Sequence, residues 1–244
     1  MMYRILILAG LLCAAPAAQA EVVVFAAASL KEPVDALAAG LDDVTVSYGG
    51  SGTLARQISL GAPADVVLLA NPEWMAFLAD EQRVGRVTDF ASNRLVVVGP
   101  ADMGDLALEP EAMLAALGQG RLAVGLTDAV PAGVYAKAAL QSLELWDGLV
   151  PTLAEVDNVR SALALVIRQQ TPLGIVYQTD VRVSDAVRAV AVFPDASHPP
   201  IRYQAALVGQ ATPEAAAFLT ALTGPKGQAL LGEAGFLRPV DDPQ

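Results

Sequence analysis

Short apolar runs rich in β-branched residues alternate along the chain with segments of helical periodicity. Val22–Phe25, Val44–Tyr48 and Leu95–Val98 predict strands, and the third is the most strongly β-branched. Further strands are predicted at 64–69, 122–125 and 173–177, and helices at 30–41, after the loop at 49–52, after Asn71, at 133–145 and at 159–169. Strands that alternate with helices indicate an α/β fold with mostly parallel sheets.

The first twenty residues follow a different pattern. Arg4 precedes the apolar run Ile5–Leu12, and the segment ends in Ala18-Gln19-Ala20. This arrangement is typical of a secretory signal peptide with a small-x-small cleavage site. The apolar run is shorter than the roughly 20 residues that span a bilayer, which argues against a membrane anchor. We therefore expect residues 1–20 to be removed on export.

Composition narrows the possible partners. The only cysteine lies within the expected signal peptide, so the core must stabilise the mature chain without a disulfide. The length suits one large domain or two lobes of about 100 residues each. A formal net charge of −11 argues against nucleic acid and anionic lipid as partners. A protein of this charge that binds an anion must hold it by local dipoles, because its overall field repels the anion.

Three strand-to-helix junctions place small residues and hydroxyl groups where a helix is predicted to begin. They are Ala26–Leu30, Ser47–Gln57 and Asp128–Gly133. A helix start presents N–H groups without intrahelical partners and a partial charge of about +0.5. Several helix starts that converge on one point can therefore bind an anion without a cationic side chain.

Each junction also has an ordinary structural interpretation. Ser29 and Glu32 have the spacing of a capping box, which favours a role for Ser29 in capping its own helix. The Gly49–Gly52 segment fits an ordinary turn between a strand and a helix, and Pro131 fits the first position of a helix. Taken one at a time, the junctions do not establish a ligand.

Taken together, stretches along almost the whole mature chain resemble one family. They are VFAAASL at 24–30, SGTLARQI at 51–58, GAPAD at 61–65, LVVV at 95–98, RLAVG at 121–125, VPAGVYAK at 130–137, NVRSALALVI at 158–167 and PLGIVY at 172–177, with weaker likeness at 193–198 and 224–236. In this order they resemble the ModA-type molybdate-binding proteins of the type II periplasmic binding protein superfamily. The resemblance implies a periplasmic receptor that delivers molybdate or tungstate to the permease of an ABC importer.

The resemblance also implies an architecture. We expect two Rossmann-like lobes with mixed, mostly parallel sheets, joined by a hinge of two segments. Lobe 1 would comprise residues 21–95 and 202–244, and lobe 2 residues 96–201. The hinge segments are expected around Leu95–Gly99 and His198–Tyr203, the second stiffened by two prolines. The protein would act as a monomer, without a cofactor and without catalysis.

Five ligand residues carry over by position from the family. The resemblance implies hydroxyl and backbone N–H donors at Ser29 and Ser51, backbone N–H donors at Ala132 and Val159, and the phenol of Tyr177. All of these groups donate, whereas a tetrahedral dianion accepts at four oxygens. We expect the cavity size to disfavour the smaller sulfate, and the lack of acceptors to disfavour protonated anions. Whether arginine side chains at 56 and 160 reach the anion stays open.

Other functions are weaker on the sequence. A hydrolase would use Ser29 or Ser51 as its nucleophile, but no G-x-S-x-G elbow occurs, and the sole histidine, His198, has no evident triad partner. Asp65 and Asp180 are not part of a cluster with the spacing of metal-cation ligands. The serious alternative is a receptor of the same fold for sulfate, phosphate or a small organic anion, because a fold alone does not determine its ligand.

Overall fold

A computed structural model describes residues 21–239, so the expected signal peptide at 1–20 lies outside the described residues. The strands are β1 (Val22–Ala27), β2 (Val44–Gly49), β3 (Val66–Leu69), β4 (Thr88–Ala91), β5 (Leu95–Pro100), β6 (Leu122–Gly125), β7 (Leu153–Val156), β8 (Leu173–Tyr177), β9 (Val187–Val192) and β10 (Tyr203–Leu207). The helices are α1 (Lys31–Ala38), α2 (Ser51–Ser59), α3 (Pro72–Asp80), α4 (Pro110–Leu117), α5 (Pro131–Ser142), α6 (Trp146–Leu149), α7 (Val159–Ile167), α8 (Gln178–Val181), α9 (Pro213–Thr223) and α10 (Pro225–Glu233). Within this range, no helix has both the length and the apolar character needed to cross a membrane.

The strands form two five-stranded sheets with the same plan. The first has the order β2-β1-β3-β10-β4 and the second the order β7-β6-β8-β5-β9. In the first sheet β1 pairs in parallel with β2 and β3, while β10 runs antiparallel to β3 and β4. In the second, β6 pairs in parallel with β7 and β8, while β5 runs antiparallel to β8 and β9. Four strands of each sheet thus run in one direction, which confirms two α/β lobes with mixed, mostly parallel sheets.

The chain passes between the sheets twice. The first passage is short, at residues 92–94, because β4 ends at Ala91 and β5 begins at Leu95. Leu95–Gly99, where we expected a hinge segment, is therefore a strand of the second sheet, and the passage comes immediately before it. The second passage, residues 193–202, connects β9 to β10 and contains Pro199 and Pro200.

The core follows the alternation of side chains along the first sheet. Val24 of β1 is completely buried in the same hydrophobic cluster as Leu37 of α1, whereas its neighbour Phe25 lies on the other face with Ile58 of α2. Because successive strand residues point to opposite faces, each face is covered by its own helices. This sandwich fixes the carboxyl ends of the parallel strands, from which the next helices begin.

Some predicted boundaries are corrected by the structure. The loop at 49–52 is shorter than predicted, because Gly50 is the N-cap residue and Ser51 already begins α2. The helix predicted at 133–145 begins two residues earlier, at Pro131, and ends at Ser142. These shifts matter for function, since they bring Ser51 and residue 132 to the first turns of their helices.

Candidate functional site

A small cavity lies where the carboxyl ends of the parallel strands of the two sheets face each other. It is lined by Ala27, Ala28, Ser29, Gly49, Gly50, Ser51, Ala70, Val130, Pro131, Ala132, Asn158, Val159 and Tyr177. All five residues that the sequence singled out are in this set. Ser29 and Ser51 come from the first lobe, and Ala132, Val159 and Tyr177 from the second. None of the lining side chains is charged.

Three helices begin at the cavity wall. Ser51 is the first residue of α2, and Val159 is the first of α7. In α5 Pro131 comes first and has no N–H group, so Ala132 carries the first N–H of that helix. These N–H groups precede the first intrahelical bonds and need partners from elsewhere.

The first turns of α2, α5 and α7 contain no acidic residue. By contrast, α1, α3, α4 and α9 each carry a glutamate in the first turn, where it complements the positive end of the helix dipole. The helices that face the cavity therefore keep this positive end available for another anion.

Ser29 does not cap its helix. The N-cap residue of α1 is Leu30, without a side-chain cap, and Glu32 is paired with Arg160 instead. The buried Ser29 hydroxyl lies 2.9 Å from the phenol oxygen of Tyr203. The capping-box interpretation was therefore wrong, because a short 3₁₀ turn at 28–30 separates this serine from α1.

Ser51 is equally buried, and its hydroxyl oxygen accepts the backbone N–H of Ala70 over 3.1 Å. Ala70 follows β3 directly, so the adjacent strand fixes the rotamer of this serine. Because the oxygen is the acceptor in this bond, the hydroxyl proton stays available for a ligand.

Tyr177 ends β8 and points its hydroxyl into buried space. Among the described residues this oxygen has no hydrogen-bond partner, although its side chain is almost wholly buried. Burial, and then the nearby Tyr203 and Tyr135, raise the pKa of Tyr177 well above its usual value. The phenol is thus held in its protonated, donating form, and a buried donor without an acceptor is costly unless a ligand supplies one.

The two arginines left open by the sequence have other partners. Arg160 donates from Nε to Asp180 over 2.6 Å and from its guanidinium to Glu32 over 2.8 Å. Arg56 lies over the ring of Trp74, 4.8 Å from its centroid. Neither arginine lines the cavity.

No base accompanies the serines. His198 lies in the second passage between the lobes, with Nδ1 2.8 Å from the Pro199 oxygen and its ring against Tyr135. The serine hydroxyls contact Tyr203 and the Ala70 N–H, so neither is activated as a nucleophile. Across residues 21–239, no group of three or more histidine, cysteine or acidic side chains could hold a metal ion.

The contacts that bring the lobes together were not foreseen. A Cβ atom added at Gly50 would lie 2.3 Å from the backbone oxygen of Asp157, and one at Gly52 would lie 2.7 Å from that of Ala129. Both oxygens belong to the second lobe, so these glycines allow the backbones of the two lobes to meet beside the cavity. The repeated glycines at 49, 50 and 52 are the sequence feature that indicates this close approach of two backbones. The residues that they contact cannot be predicted from the sequence alone.

A family model links this architecture to a class of proteins. Residues 22–237 match the bacterial extracellular solute-binding proteins, so the chain belongs to this class. The match covers both sheets and every residue that lines the cavity.

Closer relatives define the group within that class. The chain is 41% identical to the molybdate-binding protein ModA of Escherichia coli (strain K12) over 229 residues, 89% of each chain. It is 38% identical to ModA of Haemophilus influenzae, over 90% of this chain and 91% of the relative. The periplasmic molybdate-binding protein of Azotobacter vinelandii shares the fold, with a TM-score of 0.77 at 23% identity over 90% of this chain and 100% of that one. The protein belongs to the ModA family, which confirms the resemblance drawn from the sequence.

Proposed function

We propose that this protein is the periplasmic receptor of an ABC importer and that it captures molybdate or tungstate in the cavity between its lobes. The observation that carries the proposal is the buried, unpartnered hydroxyl of Tyr177 in a cavity shared with Ser29 and Ser51. The molybdate-binding names of the relatives support the same ligand class.

The proposed donors are the hydroxyl and backbone N–H groups of Ser29 and Ser51, the backbone N–H groups of Ala132 and Val159, and the Tyr177 hydroxyl. Together they match an ion whose four oxygens only accept. Each charge-assisted hydrogen bond of this kind contributes about 1.5–3 kcal/mol. The uncompensated starts of three helices add a favourable potential without placing a cation in the cavity.

Closure of the lobes couples capture to transport. In our proposal lobe 1 comprises 21–95 and 202–244, lobe 2 comprises 96–201, and the anion stabilises the closed form because both lobes contact it. The membrane permease of the importer then recognises the closed, loaded protein. We further propose that residues 1–20 direct export, that the protein acts as a monomer without a cofactor or catalysis, and that nucleic acid is not a partner.

Calorimetric titration of the mature protein with molybdate, tungstate, sulfate and phosphate tests this function. We expect one-to-one binding of molybdate and tungstate, and much weaker binding of sulfate, whose shorter bonds cannot reach donors from both lobes at once. Equal affinity for sulfate would refute the size argument, whereas binding of phosphate or sulfate alone would assign the receptor to another anion. Turnover of ester substrates would support a hydrolase instead.

A further inference from the structure

We propose that Tyr203 is a positioning residue that orients the hydroxyl proton of Ser29 into the anion cavity. This role rests on the proposed function, because it concerns one of the donors assigned above. Tyr203 does not line the cavity itself, and it begins β10 directly after the second passage between the lobes.

The phenol oxygen of Tyr203 sits between two polar groups. On one side it lies 2.9 Å from the Ser29 hydroxyl, and on the other 3.3 Å from the side-chain amide nitrogen of Asn93. Asn93 belongs to the first passage between the lobes, and it is buried, as Tyr203 is. A series of hydrogen-bonded side chains thus runs from Asn93, in the first passage, through Tyr203 to Ser29 at the cavity.

The orientation of the Asn93 amide determines which group donates in each hydrogen bond of this series. Its oxygen accepts the backbone N–H of Arg94 over 2.9 Å, and its nitrogen donates to the hydroxyl of Thr179 over 2.8 Å. An amide nitrogen only donates, so the Tyr203 oxygen is the acceptor in its bond with Asn93. The single phenol proton of Tyr203 is then left for another acceptor.

The surroundings of Tyr203 leave Ser29 as that acceptor. The Tyr203 ring packs edge-on against Phe90, Phe236 and Tyr177, with ring centroids 5.2 to 6.2 Å apart. Burial in this aromatic cluster raises the pKa of Tyr203, so its proton is retained. With the Tyr203 proton directed at its oxygen, Ser29 turns its own proton away from Tyr203, toward the cavity that it lines.

The direction of this series matters because a serine hydroxyl can donate or accept. A hydroxyl that presents its lone pairs to an oxyanion repels it, whereas one that presents its proton binds it. A series that runs from Asn93 through Tyr203 to Ser29 settles this choice before the anion arrives, so binding does not have to reorient the hydroxyl.

A double-mutant cycle tests this role. Tyr203→Phe removes the phenol hydroxyl and keeps the ring, so we expect molybdate affinity to fall about tenfold. In a Ser29→Ala background the same change should have less than about a twofold effect, because the group that it orients is absent. Asn93→Ala, which removes the donor to Tyr203 but leaves the phenol in place, should show the same dependence on Ser29. A matched control is Tyr48→Phe, whose hydroxyl instead contacts Asp35 on the exposed surface.

Equal losses from Tyr203→Phe in both backgrounds would overturn the positioning role, since a merely structural effect does not need the serine. If wild-type protein binds sulfate or phosphate in place of molybdate, the proposed function fails, and the cycle measured with that anion still decides the role of Tyr203. Failure to bind any of the three anions would overturn both. Unfolding curves for each variant establish that it is folded.

Discussion

The indole N–H of Trp74 in the first lobe donates to the backbone oxygen of Ala129 in the second, over 2.8 Å. Ala129 stands two residues before the first position of α5, whose start forms part of the cavity wall. This bond therefore links the closed arrangement of the lobes to the position of the backbone N–H groups at the start of α5. The two residues are 55 positions apart, so no local sequence pattern predicts this bond.

We expect Trp74→Phe to weaken molybdate binding by about three- to tenfold, because one interlobe hydrogen bond is lost and the ring is largely kept. Calorimetry measures the change. The control is Trp146→Phe on α6, whose ring neighbours Lys137 on the second lobe and takes no part in the cavity. Unchanged affinity in the Trp74 variant would mean that this bond does not contribute to the bound state.

The interlobe glycines offer a stronger test of closure. Gly50→Ala introduces a methyl group that overlaps the backbone oxygen of Asp157 in the other lobe, whereas a methyl group at Gly52 would also overlap the Trp74 ring of its own lobe. We expect Gly50→Ala to fold, because its overlap exists only when the lobes meet, but to lose at least about tenfold in affinity. Small-angle scattering should show less compaction on adding molybdate than the wild type shows.

The matched control is Gly85→Ala in the first lobe, where an added Cβ atom meets nothing within 4 Å. It should bind molybdate as the wild type does. Wild-type affinity in the Gly50 variant would show that the protein binds its anion without this close approach of the backbones.

The two serines should dominate the affinity contributed by the first lobe. We expect Ser29→Ala combined with Ser51→Ala to weaken binding by roughly 10²–10⁴-fold, at about 1.5–3 kcal/mol for each charge-assisted bond. Replacing Ser59 and Ser142, which end α2 and α5, gives a matched double control. Affinity that survives the loss of Ser29 and Ser51 would refute the assigned site.

The strands could be predicted where apolar residues run together. β1, β5 and β8 are buried along their whole or nearly whole length, and all three were predicted. β4, β7, β9 and β10 were not, because a polar or charged residue interrupts each apolar run: Asp89 in β4, Glu155 in β7, Arg188 in β9 and Gln204 in β10. Strands of this kind are specified by their partners more than by their own residues.

The residues of the site also divide into those that the sequence could predict and those that it could not. Small residues marked three strand-to-helix junctions, which contain Ser29, Ser51 and Ala132, and the family resemblance named all five donors, including Val159 and Tyr177. The contact between Ser29 and Tyr203 joins residues 174 positions apart, so no local pattern could reveal it. The capping-box spacing led to a wrong prediction for a related reason. Ser29 contacts Tyr203 and Glu32 pairs with Arg160, so neither side chain caps α1.

The ion pair between Glu32 and Arg160 makes a prediction about pH, since it also joins the lobes. Burial tends to raise the pKa of Glu32, but the hydrogen bond and charge of Arg160 outweigh it and lower the pKa below its ordinary 4.5. A lowered pKa means that the pair stabilises the closed form above pH 4.5. That contribution is lost as the pH falls through the lower value in the closed protein.

Glu32→Gln should therefore weaken molybdate binding about two- to fivefold at pH 7, and progressively less below pH 4.5. The ratio of the two dissociation constants at each pH is the quantity to measure, because protonation of the ligand affects both proteins equally. Glu111→Gln on α4 is the control and should bind as the wild type does at every pH. A ratio that stays constant down to pH 3.5 would exclude this ion pair from closure.

Ionic strength tests whether neutral donors suffice. The net charge of −11 repels an anion at long range, and the cavity itself has no charged side chain. Salt near 0.1 M shortens the range of that repulsion to about 10 Å, but it leaves hydrogen bonds inside a buried cavity almost unchanged. We therefore expect molybdate affinity to stay level or rise slightly between 10 and about 150 mM sodium chloride, in titrations at constant pH. A steep fall would require a cationic group at the anion, and Arg160 would then have to leave Asp180 and Glu32 to reach it.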